Sequence, residues 1–360
     1  MKDIAFTRSI WKYDKGNTVE LNKALCKCPW NVMDIYDDIN DMTDYFVRLF
    51  LDTVQQYIPF ESIIIHPRDK PWINTMIKAK IKERNKWHKR WKSSNRQVIY
   101  DIFKEKRHET NIAIIEAKAK YYDKIKDKLC NPTINAKQYW HLLKSLYGNK
   151  IDSGIPPLTD GAELITSATL KAETFNSHFL RKSLLPNALP TLPHIVNDRQ
   201  MLSLIVTNEN EVKNIIQELD LNKACGHDYI SNRLLKITAD VIAKPLADLF
   251  NKSLSKGEFP DVWKKANVVP VFKQNDKQDK NNYRPISLLS SLGKLFERVV
   301  FKHLYRYCME NNLLTWRNSG YKPLDSSINQ LIYITHRIYQ ALEKGDDVCF
   351  ISLDASAAFD

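Results

Sequence analysis

The stretch VCFISLDASAAFD at 348–360 holds the residue type that hard cations need. Val348 to Leu353 is apolar and reads as a buried strand, so Asp354 emerges at its carboxyl end, a usual place for ligands in α/β sheets. A carboxylate there offers hard oxygens to magnesium, and an aspartate at a strand end also serves as a helix N-cap. Arg284, in NYRPIS, stands before a proline that removes one backbone donor and fixes the local turn. Its guanidinium could clamp a phosphate bidentately or form a surface ion pair. Lys273, closing VVPVFK, offers the same choice as a point charge.

A second chemistry lies upstream. In KAKIKERNKWHKRWK, Trp87 and Trp91 stand four apart on one helical face, with Lys82, Lys86, Lys89 and Arg90 around them. Basic side chains neutralise phosphates and release counterions, while indoles stack on bases or pack under lysine stems. Residues 70–128 hold 18 Lys plus Arg against 7 Asp plus Glu, a surplus of eleven in a chain whose net charge is +12. A solvated helical hairpin with the tryptophans as its buried stripe is one reading. A nucleic-acid surface fits the charge better, because a merely solvated helix more often balances its signs. Anionic membrane is the second polyanion to consider.

Helices must position most of this. Residues 19–60 read as amphipathic helix, with Val32, Ile35, Ile39, Met42, Phe46, Phe50 and Val54 at steps of three or four, ended by Pro59. Helical spacing runs from Trp72 to Leu129 and again over 131–150, where Gly148 is the expected C-cap. Prolines at 186, 190 and 193 break regular structure ahead of a boundary near 200. Helices at 208–219 and 231–256 and the alternating ANVVPVF at 266–272 then give the second half an α/β character. The divisions are a helical segment at 1–66, a basic helical region at 67–150, a connector at 151–200 and a mixed region at 201–360.

With 43% hydrophobic residues the 360-residue chain can bury a core. Its six cysteines are scattered, and Cys26 and Cys28 are too close for a zinc ribbon. No stretch has signal-peptide or membrane-span character. The expectation is an intracellular protein of the cytoplasm or nucleus, neither secreted nor membrane-bound.

Five blocks follow one another: LDLNKACGHDYISNRLLK at 219–236, FPDVWKKANVVPVFK at 259–273, NNYRPISLLSSLGKLFERVV at 281–300, NSGYKPLDSSINQL at 318–331 and VCFISLDASAAFD at 348–360. In type and order they resemble the fingers and first palm strand of reverse transcriptases from non-LTR retrotransposons, of the jockey type. PWINTMIKAKIKERNKWHKRWK and AKAKYYDKIK resemble the segment that joins an upstream endonuclease to the polymerase in such elements.

The resemblance implies an α+β fold: a basic, mostly helical N-terminal region followed by the fingers and first palm strand of a right-hand polymerase, with the palm incomplete. It implies RNA-directed DNA polymerase activity with Mg2+, an RNA template, a DNA primer and deoxynucleotides. Asp354 becomes a metal ligand, Arg284 and Lys273 contacts to the triphosphate, and Phe359 a steric gate against a ribose 2′-hydroxyl. Asp360 takes a structural role, and Gly320, Lys322 and Gln330 face the template.

This chain departs from the family pattern. Lys322 stands where an arginine is usual, His227 and Tyr229 where proline and glycine are usual, and Ala357 where a lysine is usual. The family's second carboxylate block, an Asp-Asp hairpin, has no counterpart here: Asp37-Asp38 reads as helix and Asp346-Asp347 as a turn. Two-metal chemistry needs more than one carboxylate. The expectation is a fragment truncated at the first catalytic Asp and inactive alone, the alternative being a non-catalytic RNA- or DNA-binding remnant that acts through the basic helices.

Overall fold

The computed structural model describes residues 6–65, 70–146, 154–161, 163–183, 202–315 and 317–353. They divide into two compact units. The first comprises residues 1–11 and 60–154, the second 12–59 and 155–360.

In the first unit, β1 (Phe6–Trp11) pairs antiparallel with a strand that returns much later, Phe60–Ile65. In the second, α1 (Thr18–Cys26) and α2 (Ile39–Tyr57) flank a 3-10 stretch over Trp30–Ile35. The single helix expected over 19–60 is therefore two. Pro29 cannot continue α1, and Asp38 starts α2 by accepting the Asn40 amide at 2.6 Å, so Asp38 is an N-cap and not helix interior. Pro59 does close the region.

The strand at Phe60–Ile65 is β2. The basic region follows in the first unit as α3 (Thr75–Ser94), α4 (Gln97–Leu129) and α5 (Ala136–Leu146). Asn95 separates α3 from α4 with φ +50°, a left-handed cap that asparagine tolerates better than most residues. Gly148 lies outside the described residues.

In the second unit the order continues with β3 (Leu158–Asp160), β4 (Glu163–Ile165), α6 (Ala168–Ser183), α7 (Glu209–Glu218), α8 (Asn232–Lys256), the single turn α9 (Asp261–Lys264), β5 (Ala266–Phe272), β6 (Tyr283–Leu289), α10 (Ser291–Glu310) and α11 (Ser327–Glu343). Among the described residues the sheets are three antiparallel pairs, β1 with β2, β3 with β4 and β5 with β6. The fold is α+β. No described helix is long and apolar enough to cross a membrane.

The core of the second unit is built on α8, which buries Leu234, Leu235, Ile242, Leu246, Leu249 and Phe250. Phe250, Trp263 and Phe296 meet as an aromatic cluster with ring centroids 5.0–5.8 Å apart. Residues 12–59 belong to this core. Leu21, Leu25, Phe46 and Phe50 are buried, Asn22 donates to the Ile237 carbonyl at 3.0 Å, and Tyr13 shares a 2.6 Å hydrogen bond with Ser231. Fully burying each such side chain contributes about 1.5–3 kcal/mol.

One expected element is absent. Residues 348–353 form no strand, and Phe350, Ile351 and Leu353 lie exposed, the last at 93%. An apolar run becomes a buried strand only where neighbours pair its edges, and no described strand pairs with this one.

Candidate nucleotide and nucleic-acid interface

β5 and β6 form a two-stranded ribbon with Val271 opposite Arg284 and Phe272 opposite Tyr283. Because side chains alternate along a strand, the ribbon has two distinct faces. On one, Tyr283 is buried with Leu158 and Phe175, and Phe272 packs against the same cluster. The Phe175 and Tyr283 rings meet at 4.8 Å. The far end of the ribbon is held by the Thr159 amide, which donates to the Gln278 carbonyl at 2.9 Å, and by Tyr283 Oη, which donates to the Lys277 carbonyl at 2.7 Å.

The other face is exposed and carries Val269, Val271, Ile286 and Arg284. Lys273 continues the alternation one residue past β5, its amide donating to the Asn282 carbonyl at 2.8 Å. The two cations expected at a triphosphate therefore share one solvent-facing side of one rigid ribbon.

The blocks at 219–236 and 281–300 interlock at the carboxyl end of β6, where the strand runs into α10. Ser290 caps α10 by accepting the Leu292 amide at 3.1 Å and donates its hydroxyl to Asp228 Oδ2 at 2.5 Å. Gly226 lies so close to the end of β6 that a Cβ on it would sit 2.7 Å from the Leu289 carbonyl carbon and the Ser290 nitrogen. No larger residue fits without moving the backbone. Tyr229 has φ +57°, which explains why glycine is the easier residue at the position where this chain departs from the family pattern.

Sequence reasoning missed Asp228, Gly226 and Ser290 as a group. The signal was partial: a serine before a helix reads as a cap, but its partner stands 62 residues away.

At 318–331 the expected positions come together within one loop and helix start. Ser319 Oγ donates to Gln330 Oε1 at 2.8 Å, and the Gly320 amide donates to Asn318 Oδ1 at 3.1 Å. The Ser326 amide, helped by a hydrogen bond from Asn329 and by the nearby Lys322 charge, holds the Asp325 carboxyl below its ordinary range. Asp354, Phe359 and Asp360 lie outside the described residues. Among those described, no three His, Cys, Asp or Glu side chains converge as metal ligands.

In the basic region the charges sort by face. Lys80 and Lys106 lie between α3 and α4 and pair with Glu109 at 3.6 and 3.0 Å. These ion pairs hold the Glu109 carboxyl down, Lys106 being its main partner. Lys82, Lys86 and Lys89 are exposed and fall with Lys78 on one stripe of α3 at steps of three and four. Trp91 packs into the hairpin, 4.9 Å from Tyr100 and stacked on Phe103 at 6.1 Å. Trp87 is half-exposed and covered by the Arg90 guanidinium at 5.0 Å. Both rings are partly buried.

No protein-family model matches the chain. It is similar to the RNA-directed DNA polymerase from mobile element jockey of Drosophila melanogaster, 32% identical over 160 residues, which is 44% of this chain and 18% of that protein. It is 28% identical over 229 residues, 61% of the chain and 25% of the relative, to the probable RNA-directed DNA polymerase from transposon BS of the same species. The probable RNA-directed DNA polymerase from transposon X-element, also of that fly, is 24% identical over 291 residues, 78% of the chain and 32% of the relative. The chain thus spans between about a fifth and a third of these curated relatives. A match of 291 residues cannot be confined to 219–360, and wherever it is placed on the chain it includes α4.

Proposed function

We propose, from the premise that this chain is a jockey-like reverse transcriptase sequence of the non-LTR retrotransposon type, that residues 201–360 are the fingers and the start of the palm of an RNA-directed DNA polymerase. The ribbon carries this reading. Its exposed side presents Arg284 and Lys273 together, on a support packed on its other face through Tyr283 and held at the opposite end of β6 by the Asp228–Ser290 contact. Arg284 would bind the incoming triphosphate bidentately and Lys273 would add charge. Phe359 would exclude the ribose 2′-hydroxyl, and Lys322 and Gln330 would face the template. RNA template, DNA primer and deoxynucleotides are the partners this reading requires, in the cytoplasm or nucleus and away from membrane.

Magnesium chemistry would need Asp354 together with at least one further carboxylate. Taken alone, the 360 residues should bind nucleic acid and not extend a primer. Magnesium-dependent incorporation on an RNA template, well above that of an Asp354→Ala control, would defeat the inactivity. In a longer polypeptide that also carries the second carboxylate block, Arg284→Ala should raise KM for deoxynucleotides at least tenfold. An unchanged KM would remove Arg284 from the triphosphate.

The alternative, a binding module without chemistry, rests on the stripe of Lys78, Lys82, Lys86 and Lys89 on α3. Residues 67–150 would then form an arm for nucleic acid whether or not synthesis occurs. Its affinity should fall steeply with salt, as each neutralised phosphate releases counterion.

A further inference from the structure

α4 has 33 residues and is about 50 Å long. Trp91, His88, Tyr100 and Phe103 cluster near its start, and a second aromatic group lies about 28 Å further on. There Trp72 meets Tyr121 at 5.8 Å and Tyr122 at 6.0 Å, and the Lys118 ammonium stands 5.7 Å from the Trp72 ring and 5.9 Å from the Tyr122 ring. Its Tyr122 is 38% exposed, whereas each ring of the first cluster is only partly exposed.

Lysines surround this end of α4, while its carboxylates keep to one side. On a helix of 3.6 residues per turn, Glu116, Asp123 and Asp127 fall on one stripe, together with Lys120. Lys118, Tyr122 and Lys126 fall on the opposite side, flanking the buried Ile125, with no carboxylate at three or four residues from Tyr122. An anion near Tyr122 meets Lys118 and Lys126 with no carboxylate one helical turn away.

We infer that Tyr122, backed by Trp72, is a stacking platform for an unpaired base of single-stranded RNA, with Lys118 moving from the ring faces to the adjoining phosphate. The interior of a duplex cannot use it, because both faces of each base there are already stacked. The inference rests on the reading of residues 67–150 as a nucleic-acid arm and adds which form of nucleic acid the arm takes.

The full chain is titrated with an unstructured 12-nucleotide RNA carrying 2-aminopurine, and with the same strand annealed to its complement. The single strand should bind more tightly and its fluorescence should be quenched. Tyr122→Ala should weaken single-strand binding about tenfold and abolish the quench while leaving the salt slope unchanged. Tyr122→Phe should keep both. If the alanine variant fails to fold, Tyr122→Leu keeps the apolar bulk and should lose the quench in the same way. Lys118→Gln should flatten the salt slope by about 0.7. Salt-dependent binding with an undiminished quench in the alanine or leucine variant, or equal affinity for the duplex, overturns the platform and leaves the arm standing. No salt-dependent binding of either probe removes the arm and the platform together.

Discussion

The unit built on α8 and the hairpin of α3 and α4 are both largely helical, and they are held together by different forces. Around α8, whole apolar faces are out of water: Leu21, Phe46, Phe50, Ile216, Leu246, Phe250 and Leu295 are all buried. In the hairpin the buried positions are few, Ile77, Thr110, Ala113 and Ile125, and the rest of the closure comes from half-exposed rings and from Lys80 and Lys106 on Glu109. The Thr110 hydroxyl satisfies its own helix at the Lys106 carbonyl, 2.7 Å away. A region organised by burial must keep its interior residues, whereas one organised by rim contacts leaves its outer face open to evolve a charge pattern. The surplus of Lys and Arg lies on the second kind of structure.

The largest expected effect separates the two directly. Phe250→Ala should cost about 3–5 kcal/mol through the cavity it opens against Trp263 and Phe296. Trp91→Ala should cost clearly less, since Trp91 is only partly buried and its loss opens the site toward solvent rather than an enclosed cavity. Denaturant midpoints of the two variants check the ordering, and equal losses would erase the distinction.

Next in size is Asp228→Ala. Removing the acceptor of the Ser290 hydroxyl should cost about 1–3 kcal/mol and speed hydrogen exchange at the Leu292 amide and along β6. Normal protection there would mean that the contact does not support the ribbon. Tyr229→Gly should act in the opposite direction, stabilising by up to about 1 kcal/mol through relief of a left-handed φ, as read by the melting temperature.

His178 tests the bracing of the ribbon through pH. Burial, aided by Lys182, Lys280 and Arg181 and opposed by Asp279, lowers its pKa from the ordinary 6.5. The unfolded chain therefore takes up the proton first. The stability tied to neutral His178 is present above pH 6.5 and is lost as pH falls from there through the depressed folded value. Denaturant midpoints at pH 7.5 and 5.5 should differ more in the parent than in His178→Phe. The smallest effect on stability, within about 0.5 kcal/mol, is expected for joint replacement of Lys82, Lys86 and Lys89 by glutamine. The same change should flatten the salt dependence of RNA binding by about 2. A normal slope would place the phosphates elsewhere.

Local periodicity made much of the fold legible. The helices at 208–219 and 231–256 and the strand at 266–272 were expected within a residue or so of α7, α8 and β5, because one apolar face or one alternating run defines each. The break at Pro29 was legible in principle, but the stripe of Met42, Phe46 and Phe50 continues so regularly beyond it that periodicity alone joined α1 to α2. Residues 348–353 show the reverse case. Their apolar run states a preference for burial, and burial depends on partners that a local pattern does not contain. Arg284 and Lys273 were identifiable as residues, whereas their shared side depended on the pairing register. Asp228 with Ser290 joins positions far apart in sequence, a relation that a single sequence does not display.

The packing of residues 12–59 against α8 sets a timetable for the chain. Asn22 and its acceptor Ile237 are 215 residues apart, so at typical synthesis rates α1 and α2 leave the ribosome roughly 10–40 s before the helix that covers them exists. Throughout that interval Leu21, Leu25, Phe46 and Phe50 have only each other for shelter. Helices α1 and α2 are completed only when α8 is made, and the nascent chain must be guarded from its neighbours until then.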